Sequence, residues 1–158
     1  MRISQWSKVK GQRHKVYRLW NMDHALLFLL TTFMLCACAT KSTKDQQYFA
    51  QGQVLYEKNC SNCHQKNGNG LGLLYPPLAS SDYFEKNLNT SLCLMKYGKQ
   101  GEIIVNGKSF NKPMPGVPSL TELEIAEIAT YINNSWGWQK GIVEISQVKT
   151  ALDECGVK

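Results

Sequence analysis

The chain has 158 residues, 43% of them hydrophobic, with a net charge of +6 from 18 basic and 12 acidic side chains. The first 37 residues hold six of the basic side chains and one acid, so the remainder carries 12 and 11, a net of +1. That near-neutral remainder argues against nucleic acid as a partner, and its 121 residues suffice for one compact domain but not two.

The N-terminal basic segment runs into the apolar stretch ALLFLLTTFMLCAC at 25–38. Fourteen residues are too few for a comfortable bilayer-spanning helix, so residues 1–37 read as a cleaved export signal. Leu35-Cys36-Ala37-Cys38 resembles a bacterial lipobox, which implies acylation of Cys38 and a protein lipid-anchored to a bacterial membrane on the periplasmic side. The alternative is ordinary signal cleavage near Ala37. Residues 38–47 are polar and read as the lipidated N-terminus and a tether reaching about 30 Å. Residues 48–158 form the folded domain.

A first helix is expected over about 46–58, with Phe49, Gly52 and Tyr56 on one face. It leads into Cys60-Ser61-Asn62-Cys63-His64. Cysteines at i and i+3 with histidine at i+4 lie on one side of a helical turn. The pattern C-x-x-C-H attaches c-type haem: two thioethers hold the ring and the imidazole reaches its iron. A zinc site wants four ligands at tetrahedral spacing, and a thioredoxin-like C-x-x-C wants a surrounding βαβ pattern; neither is present.

Further along, Gly68, Gly70 and Gly72 lack the spacing of a nucleotide-binding loop and read as turn glycines. Leu88, Leu92 and Met95 recur at i, i+4 and i+7, the core stripe of a middle helix. Asn106-Gly107 between two β-prone runs predicts a short hairpin over 102–110. Beyond it, Met114 stands between Pro113 and Pro115. Prolines on both sides pre-organise a loop, which suits a ligand more than a core residue. With His14 and His24 in the signal, no second imidazole remains for iron. Met114 is therefore the expected sixth ligand opposite His64, and Met95 is expected to pack.

A last major helix should open with Thr121 as N-cap and Glu124 completing a capping box, then place Ile125, Ile128, Ala129, Ile132 and Trp136 along one face. A C-terminal helical extension follows, with Ser146 as N-cap and Gly156 as stop. Cys93 and Cys155 remain after haem and lipid have taken the others; they form either a disulfide or two buried thiols.

Over about Gln46 to Ser135 the chain resembles class I c-type cytochromes, on GQVLYEKNCSNCH, GNGLGLLYPPLASSDYF, GEIIVNGKSFNKPMP and LTELEIAEIATYINNSWG. The resemblance implies an all-α cytochrome c fold wrapped around one covalently bound haem c with its iron. It also implies that Gly52 lets the first helix cross closely against Tyr131, where the alternative is a tolerated surface glycine. It implies that Pro76 and Leu78 line the histidine side of the haem, the proline carbonyl accepting the ligand's Nδ1 hydrogen; the doubled proline leaves Pro77 open as well.

With six-coordinate His/Met iron no substrate binds without displacing a ligand, so the expected function is a monomeric one-electron carrier. A haem peroxidase or a gas sensor with a labile sixth ligand is the alternative. The segment from YPPLASSDYF onward resembles cytochrome domains associated with copper nitrite reductases and terminal oxidases, which implies a redox protein donor and acceptor of that kind.

Overall fold

The computed structural model describes residues 42–155. The expected signal, Cys38 and Gly156 lie outside them. About half of the described residues are helical and the strands are very short, which is the mostly-α architecture of a cytochrome c domain.

Helix α1, Thr43–Asn59, begins earlier than its sequence pattern indicates. Ser42 Oγ accepts a hydrogen bond from Lys44 N, Asp45 sits in the first turn and Lys58 in the last, so cap and charges favour a start here. The expected tether over 38–47 is thus corrected: from Thr43 on it is helix. The buried face is Tyr48, Gly52 and Tyr56, at i, i+4 and i+8, with Phe49 at its edge. Helix α2, Ser61–His64, follows at once and carries the C-x-x-C-H residues. Gln65 at φ 63° ends it.

Helix α3, Asp82–Lys86, is capped by Ser81 Oγ on Phe84 N, and α4, Leu88–Tyr97, buries Ser91, Leu92, Cys93 and Met95. Strand β1, Gly98–Lys99, leads to the hairpin of β2, Ile103–Val105, and β3, Lys108–Phe110. Asn106 and Gly107, both at positive φ, make its turn as expected. Strand β4, Met114–Pro115, pairs antiparallel with β1, Gly98 opposite Pro115 and Lys99 opposite Met114. Nothing local signals that pairing.

Helix α5, Glu122–Asn133, has the full capping box between Thr121 and Glu124. Ile125, Ile128, Ala129 and Ile132 are buried along it. Its crossing with α1 is the central contact of the fold. A Cβ on Gly52 would lie 2.9 Å from Tyr131 Cβ and closer still to the backbone carbonyl of Glu127, so Gly52 serves backbone contact. Tyr131 then packs its ring against Phe49 and Tyr56, each at 5.2 Å between centroids, and against Trp136 at 5.8 Å. Trp136 does not extend the helix. Its φ is 53°, beyond the end of α5 at Asn133, and the turn folds its ring back over Gly68.

Helix α6, Ile145–Cys155, packs Val148, Ala151 and Leu152 into the same core. Its backbone starts from Glu144, whose carbonyl accepts from Gln147 N and Val148 N; Ser146 lies inside the first turn and is not the N-cap. Cys93 and Cys155 are joined by a disulfide with Cα atoms 6.3 Å apart, which ties α6 to α4.

Candidate functional site

The cleft between α2, α4, the hairpin and β4 has two lobes that share His64, Pro76, Leu94, Ile103 and Met114. Cys60 lines the inner lobe and Cys63 the outer one. Apart from those groups the walls are mostly apolar, including Leu78, Phe84, Val105 and Ile132 inside and Phe110 outside. Neither cysteine is tied up in a disulfide. An apolar slot with two cysteine sulfurs, an imidazole and two methionine thioethers on its walls fits a flat macrocycle with an iron at its centre.

The imidazole is held in one orientation. His64 is 8% exposed, and its Nδ1 lies 3.0 Å from the carbonyl oxygen of Pro76. A carbonyl only accepts, so Nδ1 carries the hydrogen and Nε2 is left with its lone pair for a metal. Burial pulls the His64 pKa below its ordinary value, against a smaller opposing effect of the Pro76 bond, and keeps the ring neutral. Pro76, not Pro77, therefore provides this carbonyl. Gly70 is what lets the two segments approach: its φ is 66°, its N–H donates to His64 O, and a Cβ there would strike the backbone of Tyr75 and Pro76.

Burial pushes the Cys60 thiol up to about 12, with a smaller contribution from Cys63. A buried, protonated thiol is the wrong species for thiol–disulfide exchange, which works through a thiolate. The described residues also contain no group of three or more His, Cys, Asp or Glu side chains able to hold a metal ion, so zinc has no ligand set there.

Met114 reaches the cleft by a route that sequence spacing does not reveal. The β1–β4 pairing sets Met114 against the end of α4, and Val117 N donates to Met95 O at 2.9 Å, so the segment after the hairpin is fastened on both sides of Gly116. A Cβ on Gly116 would meet Gly98 N and Lys96 O, so the chains touch backbone to backbone. Met95 is buried in the core, as its stripe indicates, yet it also lines the inner lobe. The structure brings both methionines to the cleft, one on a helix and one on a proline-flanked strand. Ser81, Tyr83 and Leu94 on the walls and Lys99 and Lys112 at the outer lobe went unrecognised in the sequence. Their only signal is long-range placement.

A mostly helical domain closed around such a slot, with C-x-x-C-H on one wall, defines a covalent haem-binding domain. The cytochrome c family profile matches residues 49–136, and the chain belongs to that family. It is 33% identical over 97 residues to cytochrome c-552 of Thermus thermophilus, covering 59% of this chain and 73% of the relative. It is also 32% identical over 89 residues to the cytochrome c subunit of a quinone alcohol dehydrogenase from Gluconacetobacter polyoxogenes, covering 54% of this chain but only 19% of that subunit. The protein is a class I c-type cytochrome that carries covalently attached haem c with its iron.

Proposed function

We propose that this protein is a monohaem carrier that moves one electron at a time between respiratory partners on the outer side of a bacterial cytoplasmic membrane. In this reading Cys60 and Cys63 would hold the haem through thioethers, His64 Nε2 and Met114 would bind its iron, and Pro76 and Leu78 would support the histidine side. The observation that carries it is the single cleft in which all six of these residues' elements meet, with the His64 tautomer set by Pro76. When bound, the haem supplies a one-electron Fe(III)/Fe(II) couple, and a thioether ligand favours the reduced state. The chain's own residues hold the imidazole neutral, line the inner lobe with mostly apolar groups and fix Met114 through β1 and β4. If His64 and Met114 both bound the iron, a substrate would have to displace one of them, which favours a carrier over a peroxidase or a gas sensor.

The Met114→Ala variant is expected to lose the near-infrared charge-transfer band of Fe(III)–thioether ligation and to drop in midpoint potential. Met95→Ala should do neither. Loss of the band in the Met95 variant alone would reverse the ligand assignment. A wild-type visible spectrum that changes under carbon monoxide would favour the sensor instead.

The partner class follows from chemistry and likeness together. Quinone-type dehydrogenases, whose cytochrome subunits are among the relatives, are one proposed kind of partner; copper nitrite reductases and terminal oxidases are proposed from the resemblance of the segment from YPPLASSDYF onward. For the anchor, the lipobox-like residues before Cys38 support acylation there, with residues 1–37 removed. Protein made in a bacterium is then expected to partition into detergent, and Cys38→Ser to leave it aqueous or unprocessed. Recovery of the unaltered chain in the soluble periplasmic fraction would show that no lipid is attached.

A further inference from the structure

After α5 the chain folds back over residues 134–144 as a strap that is hydrogen-bonded along its length. Trp138 N donates to Ser135 O, and Lys140 N to Asn133 O. Asn134 and Gly141 exchange two hydrogen bonds, from Nδ2 to the glycine carbonyl at 2.9 Å and from the glycine N–H to Oδ1 at 3.2 Å. At the far end Val143 N donates to the buried Thr130 Oγ1 at 2.9 Å. What the strap carries is Trp138. Its indole is stacked with the ring of Phe84, centroids 6.2 Å apart and planes 21° from parallel, and Lys140 Nζ lies 4.2 Å from the centre of the Trp138 ring. The same ammonium group reaches Glu85, next to Phe84, at 2.7 Å. Phe84 is 3% exposed and stands on the wall of the inner lobe, whereas Trp138 is partly buried and is not a wall residue. Helix α3, which bears Phe84, has five residues, too few to persist on their own hydrogen bonds. Its place is set from outside. At one end Asp82 and Asn106 of the hairpin turn exchange two hydrogen bonds, and at the other Trp138 and Lys140 hold Phe84 and Glu85. The Lys140–Glu85 pair is open to solvent and contributes little by itself, so the ring stack is the larger part of that hold.

From this arrangement we propose that Trp138 is a positioning residue for the haem potential: acting through Phe84, it holds the wall of the inner lobe closed to water. The proposal rests on the electron-carrier reading and adds to it a residue outside the cleft that sets the carrier's working potential. Fe(III) haem carries one more positive charge than Fe(II) haem and gains more from nearby water, so a closed apolar wall favours the reduced state. The inner lobe has mostly apolar walls, and a loosened Phe84 would admit water there and lower the potential. Most of the strap lies beyond residue 136, where the match to the family ends. Substitution of Trp138 by an apolar residue changes no formal charge, so a shift would report the wall and not a lost ion.

The test is an equilibrium redox titration of the holoprotein and its variants, followed in the visible spectrum, with the near-infrared band recorded beside it. Trp138→Ala is expected to lower the midpoint potential while the band stays, because Trp138 does not line the cleft that holds His64 and Met114. Trp138→Phe, which keeps a ring to stack on Phe84, should recover most of the shift. Phe84→Ala should lower the potential too, and adding Trp138→Ala to it should lower it little further, since the indole acts through that ring. Cys93→Ser/Cys155→Ser separates this effect from mere loss of stability, being destabilised at α6 with its potential expected to stay. Should the alanine variant fail to take up haem, Trp138→Leu takes its place, with a smaller drop expected. A potential equal to that of the wild type in the Trp138 variant, an equal drop in the disulfide variant, or effects of Trp138 and Phe84 that simply add would overturn the proposal and leave the carrier reading intact. A wild type without a reversible one-electron couple would sink the carrier reading and this proposal with it.

Discussion

Replacing Cys93 and Cys155 together by serine is expected to lower the stability of the holoprotein by up to about 4 kcal/mol, the chain-entropy value for the 62-residue separation that the bridge closes. The physical reason lies in how α6 is held. It contributes only Val148, Ala151 and Leu152 to the core, and the bridge fixes it to α4 at its C-terminal end. Without the bridge the unfolded chain gains the freedom of a long loop, while the folded state keeps most of its contacts. Denaturant titration of the double variant against the wild type measures the difference. Neither cysteine lines the two lobes of the haem cleft, so the visible spectrum and the midpoint potential should stay as they are. A potential that moves with the bridge would show that α4 transmits the change to Met95 and the ligand.

The second large effect is expected at Gly52. Alanine there adds one methyl group, and in an isolated helix it would stabilise by about 1 kcal/mol. In this fold the new Cβ meets the backbone carbonyl of Glu127 and the Cβ of Tyr131, and neither is the movable end of a side chain. The two helices must separate or tilt, which loosens the Tyr131 contacts with Phe49 and Tyr56. A net loss of about 2 kcal/mol is expected, since overpacking typically costs 1–3 kcal/mol and here outweighs the helical gain. Truncating Glu127 to alanine should not rescue the variant, because the obstructing atom is backbone. Rescue by that second change, read from the denaturation midpoint, would contradict the close-crossing account.

Both effects depend on pairs of segments far apart in the chain, and that separates what could be read early from what could not. The C-x-x-C-H turn, the Thr121/Glu124 box, the Asn106-Gly107 hairpin turn and the proline-flanked Met114 were all legible, because each depends on residues within about one helical turn or a tight loop. Local rules went astray where a neighbour outside the window decided. Ser146 looked like a cap but lies inside α6, which starts from Glu144. Trp136 continued the apolar stripe of α5 but left the helix to cover Gly68 and pack on Tyr56 and Tyr131.

By itself the sequence determined the cofactor chemistry and the identity of the main helices, since covalent attachment and helix capping are set by spacing along the chain. Only the tertiary structure decided that Cys93 and Cys155 are bridged, that Pro76 and not its neighbour faces His64, that both Met95 and Met114 reach one cleft, and that β1 and β4 fasten the latter in place. Each of these is a distance between residues separated by a dozen to sixty positions. Such distances follow from how the helices cross: the family resemblance implies the close crossing of α1 over α5 at Gly52, and the two backbones show what a Cβ there would meet.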